Sequence, residues 1–231
     1  MSESSVVPWH LGALFAASAV IMMVLLVVHP HARVHAFPDM VEFEIRYRLV
    51  NGLVHGGAIA LFLVLLAGHV ALARLINTAG LAVMCAVTAF GAGCALITAS
   101  LVLDGFVTPA LALQYRAAQD LTVQHSTEAL VRFCGTNIRI LMPMALLSFA
   151  ASALAWCAPM VRAGGRRRLA GVASGVVGAT VGVMISAAPP GIQDHAVLGS
   201  LFLVALWHLA LAIALFKSDV PVASPPGQTQ H

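Results

Sequence analysis

The chain divides into six long apolar runs separated by more polar joints of four to 34 residues. The runs cover about 11–28, 49–74, 79–103, 138–157, 169–187 and 195–216. A helix needs ~20 mostly apolar residues to cross the hydrocarbon of a bilayer, and each run is near or above that length. The apolar positions are continuous and do not alternate with period two, which argues against a transmembrane barrel. The pattern predicts an all-α integral membrane protein: a six-transmembrane-helix bundle forming one domain over residues 1–216. The polar, proline-rich stretch 217–231 is expected to be a disordered tail.

The joints add detail. Residues 41–48, VEFEIRYR, alternate apolar and polar as a strand does. However, Asp39 stands three residues before Glu42, a helix-start spacing, and Glu42/Arg46 and Glu44/Arg48 are i,i+4 pairs in the favourable order. A lone strand beside a membrane span would also have no partner for its edge. A helix starting near Met40 and running straight into the second span is the better reading. The segment Phe106–Gln114, with Pro109, reads as a turn or short re-entrant piece. Residues 111–133 then form an amphipathic helix between the third and fourth spans, and Pro143 is expected to bend the fourth. Gly52/Gly56, Gly171/Gly175 and Gly178/Gly182 have the small-xxx-small spacing that lets another helix approach closely. That helix can belong to the same chain, to a partner subunit or to a second copy.

Composition identifies the solvent around these runs. Of 231 residues, 60% are hydrophobic and only 9% charged, against ~25% charged in soluble domains. Lipid must therefore be the solvent for most of the surface. The net charge of +3 is small and scattered, so nucleic acid is not an expected partner. Cys85, Cys94, Cys134 and Cys157 lie far apart without a CxxC, which gives no disulfide framework. The N-terminal residues lack a basic signal-peptide region, so the first run reads as a retained span.

Charge sets an expected orientation. The short joint holding Arg162, Arg166, Arg167 and Arg168 has no acid, and the positive-inside rule places it in the cytoplasm. Both termini then lie in the cytoplasm, and the natural setting is a bacterial cytoplasmic (inner) membrane. The opposite face collects Asp39, Glu42, Glu44, Asp104, Asp120, Glu128 and Asp194, seven of the nine acids, with His29, His31, His35, His125 and His195.

Three chemistries fit these residues. The first is a divalent transition metal (Zn, Cu or Fe) held at the outer face by His29, His31, Asp104, His125, Glu128 and His195, since imidazole and carboxylate are its ordinary ligands. The second uses the intramembrane histidines. On the second span, Glu44, Arg48, Asn51, His55, Phe62 and His69 recur at steps of three, four or seven and form one stripe. His55 and His69 are 14 residues apart, ~320° of rotation and ~21 Å of rise. This resembles the paired histidines of membrane-bound cytochromes b, and it covers the second and sixth spans only. The resemblance implies haem b between those spans, with His55, His69 and His208 as candidate ligands and an electron-transfer role. Arg139, inside the fourth apolar run, is a candidate for an anionic group such as a haem propionate. The third chemistry is metal-assisted hydrolysis at the membrane face, with Glu128 or Glu44 as general base. A histidine-lined metal transporter and a non-enzymatic membrane subunit are the further alternatives. The second and fourth helices are expected to turn their polar stripes toward each other.

Overall fold

The computed structural model describes residues 7–30, 36–76, 80–189 and 192–216. Among these, helix is the only regular secondary structure, with six helices long and apolar enough to cross a membrane and no strand. The helices are α1 (Val7–Val28), α2 (Phe37–Ile76), α3 (Leu81–Val102), α4 (Thr108–Ala117), α5 (Leu121–Arg162), α6 (Gly165–Ala187) and α7 (Gln193–Phe216). The protein is a multi-pass membrane bundle.

The six long helices form a closed ring in chain order. Each packs on its sequence neighbour, α5 follows α3 directly, and α7 closes onto α1. Short joints enforce this order, because antiparallel neighbours are what a short connection permits. Between α5 and α6 the chain reverses at Gly164, whose φ of 72° suits a residue without Cβ. The α5–α6 contact is close because α6 turns its glycines inward. A Cβ on Gly178 would stand 2.7 Å from the Ala150 carbonyl oxygen, and one on Gly171 2.8 Å from that of Cys157. The small-xxx-small face of α6 thus packs within the chain, and of its four glycines only Gly182 has open space around a Cβ.

Helix α2 begins at Phe37 and continues unbroken into its span, as the i,i+4 pattern predicts. At 40 residues it is ~60 Å long, so its first turns extend beyond the ~30 Å hydrocarbon. The two expected ion pairs on this extension do not form. Glu42 reaches Arg116 on α4 instead (3.3 Å), and Glu44 turns inward.

The turn expected at Phe106–Gln114 is helix. Leu103–Val107 form one π-helical turn, and α4 follows without a break in the helical backbone. Pro109 falls in the first turn of α4, where its missing N–H is tolerated. The chain breaks at Ala118–Asp120, and the Asp120 carboxylate caps α5 by accepting from the Thr122 N–H at 2.7 Å. Helix α5 then runs 42 residues through Pro143 and Pro159.

Helix α4 lies against both α2 and α5. This corrects the expectation that the polar stripes of α2 and α5 face each other. The start of α5 buries Thr127, Val131 and Cys134 and leaves His125 and Arg132 exposed. The two stripes are offset by about one residue, and the one with small and apolar side chains is cheaper to desolvate.

Candidate metal site at the acidic end of the bundle

The stripe on α2 is the spine of the interior. Glu44, Asn51, His55, Phe62 and His69 are all buried, and only Arg48 of the expected set points outward. Two histidine clusters hang on this spine at different depths, and their chemistry differs.

The first is at the end of the bundle away from the Arg162–Arg168 joint. His55 is 1% exposed. Its Nδ1–H donates to the Asn51 carbonyl oxygen one turn back, at 2.8 Å, because a carbonyl can only accept. The tautomer is thereby fixed, and in the neutral ring Nε2 carries a lone pair. That Nε2 stands 2.9 Å from the Asp104 carboxylate Oδ2 and 3.4 Å from Nε2 of His29. The donor atoms of His29, His55 and Asp104 all lie within 4.8 Å of one another, the only such group among the described residues.

Three elements supply these atoms. His29 terminates α1, where its N–H still closes on the Leu25 carbonyl at 3.0 Å. His55 sits mid-helix on α2. Asp104 comes from the π-helical turn, whose extra residue per turn re-aims the side chain, a frequent feature of functional sites. Gly105 is what lets this turn touch α2. A Cβ there would stand 2.6 Å from His55 Cγ and closer still to its Cβ. Behind His55, the Asn51 side-chain amide donates to Glu44 at 3.1 Å, and Asn51 Oδ1 is buried with no hydrogen-bond partner among the described residues.

The arrangement has the hallmarks of a ligand set. A metal-binding histidine characteristically donates its other N–H to a carbonyl or carboxylate, which orients the ring. Two histidines and a carboxylate are ordinary ligands for Zn, and metal–nitrogen bonds of ~2.0–2.1 Å fit donor atoms spaced as these are. Without a cation, the His55 lone pair would face a carboxylate oxygen at 2.9 Å. A proton can bridge those two atoms, whereas a metal ion can engage all three.

The same cluster borders a cavity of about 210 Å³ running down the interior between α1, α2, α3, α5 and α7. Its walls are aliphatic apart from Phe62 and two methionines, and its polar lining is His29, His55 and Asp194. Phe62 separates it from the deeper cluster by stacking on Phe149, with ring centroids 5.3 Å apart and planes within 9°.

The second cluster is enclosed. His69 and His208 are 0% exposed, and their Nε2 atoms are 3.2 Å apart. The Trp156 indole N–H donates to His69 Nδ1 at 3.0 Å, and His208 Nδ1–H donates to the Val204 carbonyl at 2.7 Å. Indole can only donate and carbonyl can only accept, so the direction is set throughout: Trp156 to His69, His69 Nε2–H to His208 Nε2, His208 to Val204. Every ring nitrogen is satisfied with both imidazoles neutral. Phe15, Phe90 and Trp207 pack around the pair. A haem iron shared by these two histidines would have to sit where their Nε2 atoms already meet, with its macrocycle where those aromatic rings lie. Protein purified from haem-supplied cells is therefore expected to show no Soret band. A Soret band that sharpens on dithionite reduction would show that α2 and α7 part to admit the macrocycle.

The remaining candidates lie elsewhere. His125 and His195 are exposed on α5 and α7, as is Arg139 on α5. Glu128 is engaged by Arg132, whose Nε is 2.9 Å from its Oε1. Glu44 reaches the cluster only through Asn51. His31 lies outside the described residues. Beside His195, it is Asp194 that lines the cavity. Three further contributors were not legible in sequence. The role of Gly105 depends on how close α2 comes, Trp156 looks like any core aromatic, and Asp194 differs from its neighbours only in where α7 places it. Compared with protein-family models, curated proteins and solved structures, the chain matches none of them.

Proposed function

We propose that this is a membrane metal-binding protein that holds one divalent transition metal ion, with Zn the best match, through His29, His55 and Asp104. The observation that carries the reading is the convergence of three ligand atoms from three separate elements on one point, with the other nitrogen of His55 already committed to a backbone carbonyl. The ion would sit at the mouth of an apolar interior cavity and act as a Lewis acid toward whatever enters it. The site belongs to the face opposite the arginine joint, which the positive-inside rule assigns to the non-cytoplasmic side.

The test is metal binding by the full chain in nanodiscs, followed by Zn(II) titration and elemental analysis. The expected result is one ion per chain. His55→Ala should weaken binding by at least ~100-fold, and Asp104→Asn by ~10–100-fold. His10→Ala, on the exposed start of α1, serves as the control. No bound metal in the wild type would reduce the cluster to a histidine–carboxylate ion pair. Loss of the ion in His125→Ala with retention in His55→Ala would move the site to α5.

A further inference from the structure

We infer that the cavity beneath the metal site holds the aliphatic chain of a single-chain amphiphile whose neutral oxygen head, a hydroxyl or carbonyl, ligates the metal. This rests on the metal reading above and names the class of molecule the site would take.

The first ground is volume. At about 210 Å³ the cavity exceeds the ~150 Å³ apolar cavity that stays dry and takes up benzene. An unfilled space of this size forfeits the dispersion contacts of every atom lining it, so an apolar occupant is favoured. The second is shape. The lining runs from Val54 to Phe62 along α2, a depth of ~12 Å. It also runs from Asp194 to Leu201 on α7, so the space is long as well as apolar. Phe62, held by its stack on Phe149, closes the bottom.

The third is access. Helices α2 and α7 meet through His69, Trp207 and His208 in the other half of the bundle, while in this half the cavity lies between them. Leu198 lines the cavity and is itself 43% exposed. A chain can therefore enter from the bilayer, and the solvent there is itself aliphatic.

The fourth is the polarity of the two ends. All polar side chains lining the cavity are at one end, and they are the metal ligands His29 and His55 together with Asp194. An apolar chain with one polar head matches that distribution. A divalent ion balanced by Asp104 and Asp194 leaves the mouth near neutral. The head that fits is then an uncharged oxygen, which places a lone pair on the metal and, if a hydroxyl, a proton toward Asp194. Lipid tails are as apolar as the cavity wall, so transfer of the chain from the bilayer supplies little selectivity. The head on the metal must supply it.

The experiment is photolabelling in phosphatidylcholine nanodiscs with a medium-chain fatty alcohol bearing a diazirine near its end. The corresponding fatty acid is run in parallel, and metal content is counted in the same samples. The expected result is carbene adducts on the peptides containing Ala58 and Leu201. They should fall by at least about tenfold on removal of Zn(II), and by at least about tenfold in Ala58→Phe and, independently, in Leu198→Trp, which fill the space. The alcohol should label more than the acid. Absence of adducts at these peptides with one ion still bound overturns this inference and leaves the metal site standing. Adducts that ignore the metal, or an acid that labels as well as the alcohol, overturn the assignment of the head. Adducts in a protein that binds no metal overturn the metal reading and, with it, the head assignment.

Discussion

Gly105→Ala is expected to dismantle the proposed metal site and destabilise the bundle, although alanine is the better helix former. Intrinsic propensity favours alanine over glycine by ~1 kcal/mol in a helix interior. Against this, the new methyl would stand 2.6 Å from His55 Cγ and closer to its Cβ. These are not the tips of a flexible side chain, so the π-helical turn and α2 must separate. Overpacking of this kind costs about 1–3 kcal/mol, which outweighs the propensity gain. Separation by even ~1 Å would take Asp104 out of register with His55, and a site loosened by that much loses its ligand geometry. The expected outcome is a Zn(II) affinity lower by at least ~10-fold with a lowered thermal midpoint. The matched control is Gly182→Ala on α6, where a Cβ meets nothing within 4 Å. There the propensity term acts alone, and stability should hold or rise by up to ~1 kcal/mol. If both variants behave alike, the contact between Gly105 and His55 does not hold the site.

His69→Leu is expected to be among the most damaging single substitutions in the core, at about 2–4 kcal/mol. It leaves two buried groups without partners: the Trp156 N–H and the His208 Nε2 lone pair. Phe15, Phe90 and Trp207 enclose both groups, and an unsatisfied buried polar group carries its full desolvation penalty. His208→Leu should cost about as much by stranding the His69 N–H. The informative measurement is the double-mutant cycle, read by thermal or denaturant unfolding in one detergent. The pair His69→Leu/His208→Leu removes both ends of the central hydrogen bond and fills the space with apolar atoms. It should be less destabilised than the sum of the singles by ~0.5–3 kcal/mol. Strict additivity would mean that the two rings do not form one hydrogen-bonded unit.

Both predictions rest on α2, which shows how differently the two kinds of information reach the molecule. The step of seven from Glu44 through Asn51 to the histidines and Phe62 is visible in the sequence because a helix repeats its face every 3.6 residues. Polar residues kept on that face inside an apolar run had to point inward, since lipid offers them nothing. The six spans were legible for the same reason: run length and charge depletion answer directly to bilayer thickness. The helical extension before the second span was legible from its i,i+4 spacing. The break expected at Pro109 failed because local turn chemistry ignores that a π-helical turn can absorb a proline without stopping the helix.

The class of protein, the number of spans, the inward face of α2 and the residues that can ligate a cation were all legible along the chain. All of these depend on local period and on solvation by lipid. That His69 on the second span and His208 on the sixth belong together was already implied by the cytochrome b resemblance; their direct contact, and the company His55 keeps, emerge from the packing of the helices. His29 joins His55 because α1 ends where the His55 turn of α2 begins its apolar run, and Asp104 joins them because Gly105 admits the π-helical turn. His69 reaches His208, 139 residues away, across the ring rather than along the chain. The same closure left His125 and Glu128 outside the cluster, because α4 packs between α2 and α5 and the smaller face of α5 is easier to bury. Nothing in the local sequence measures the distance between two helices, so the pairing of groups, and with it the chemistry, appears only once the ring has closed.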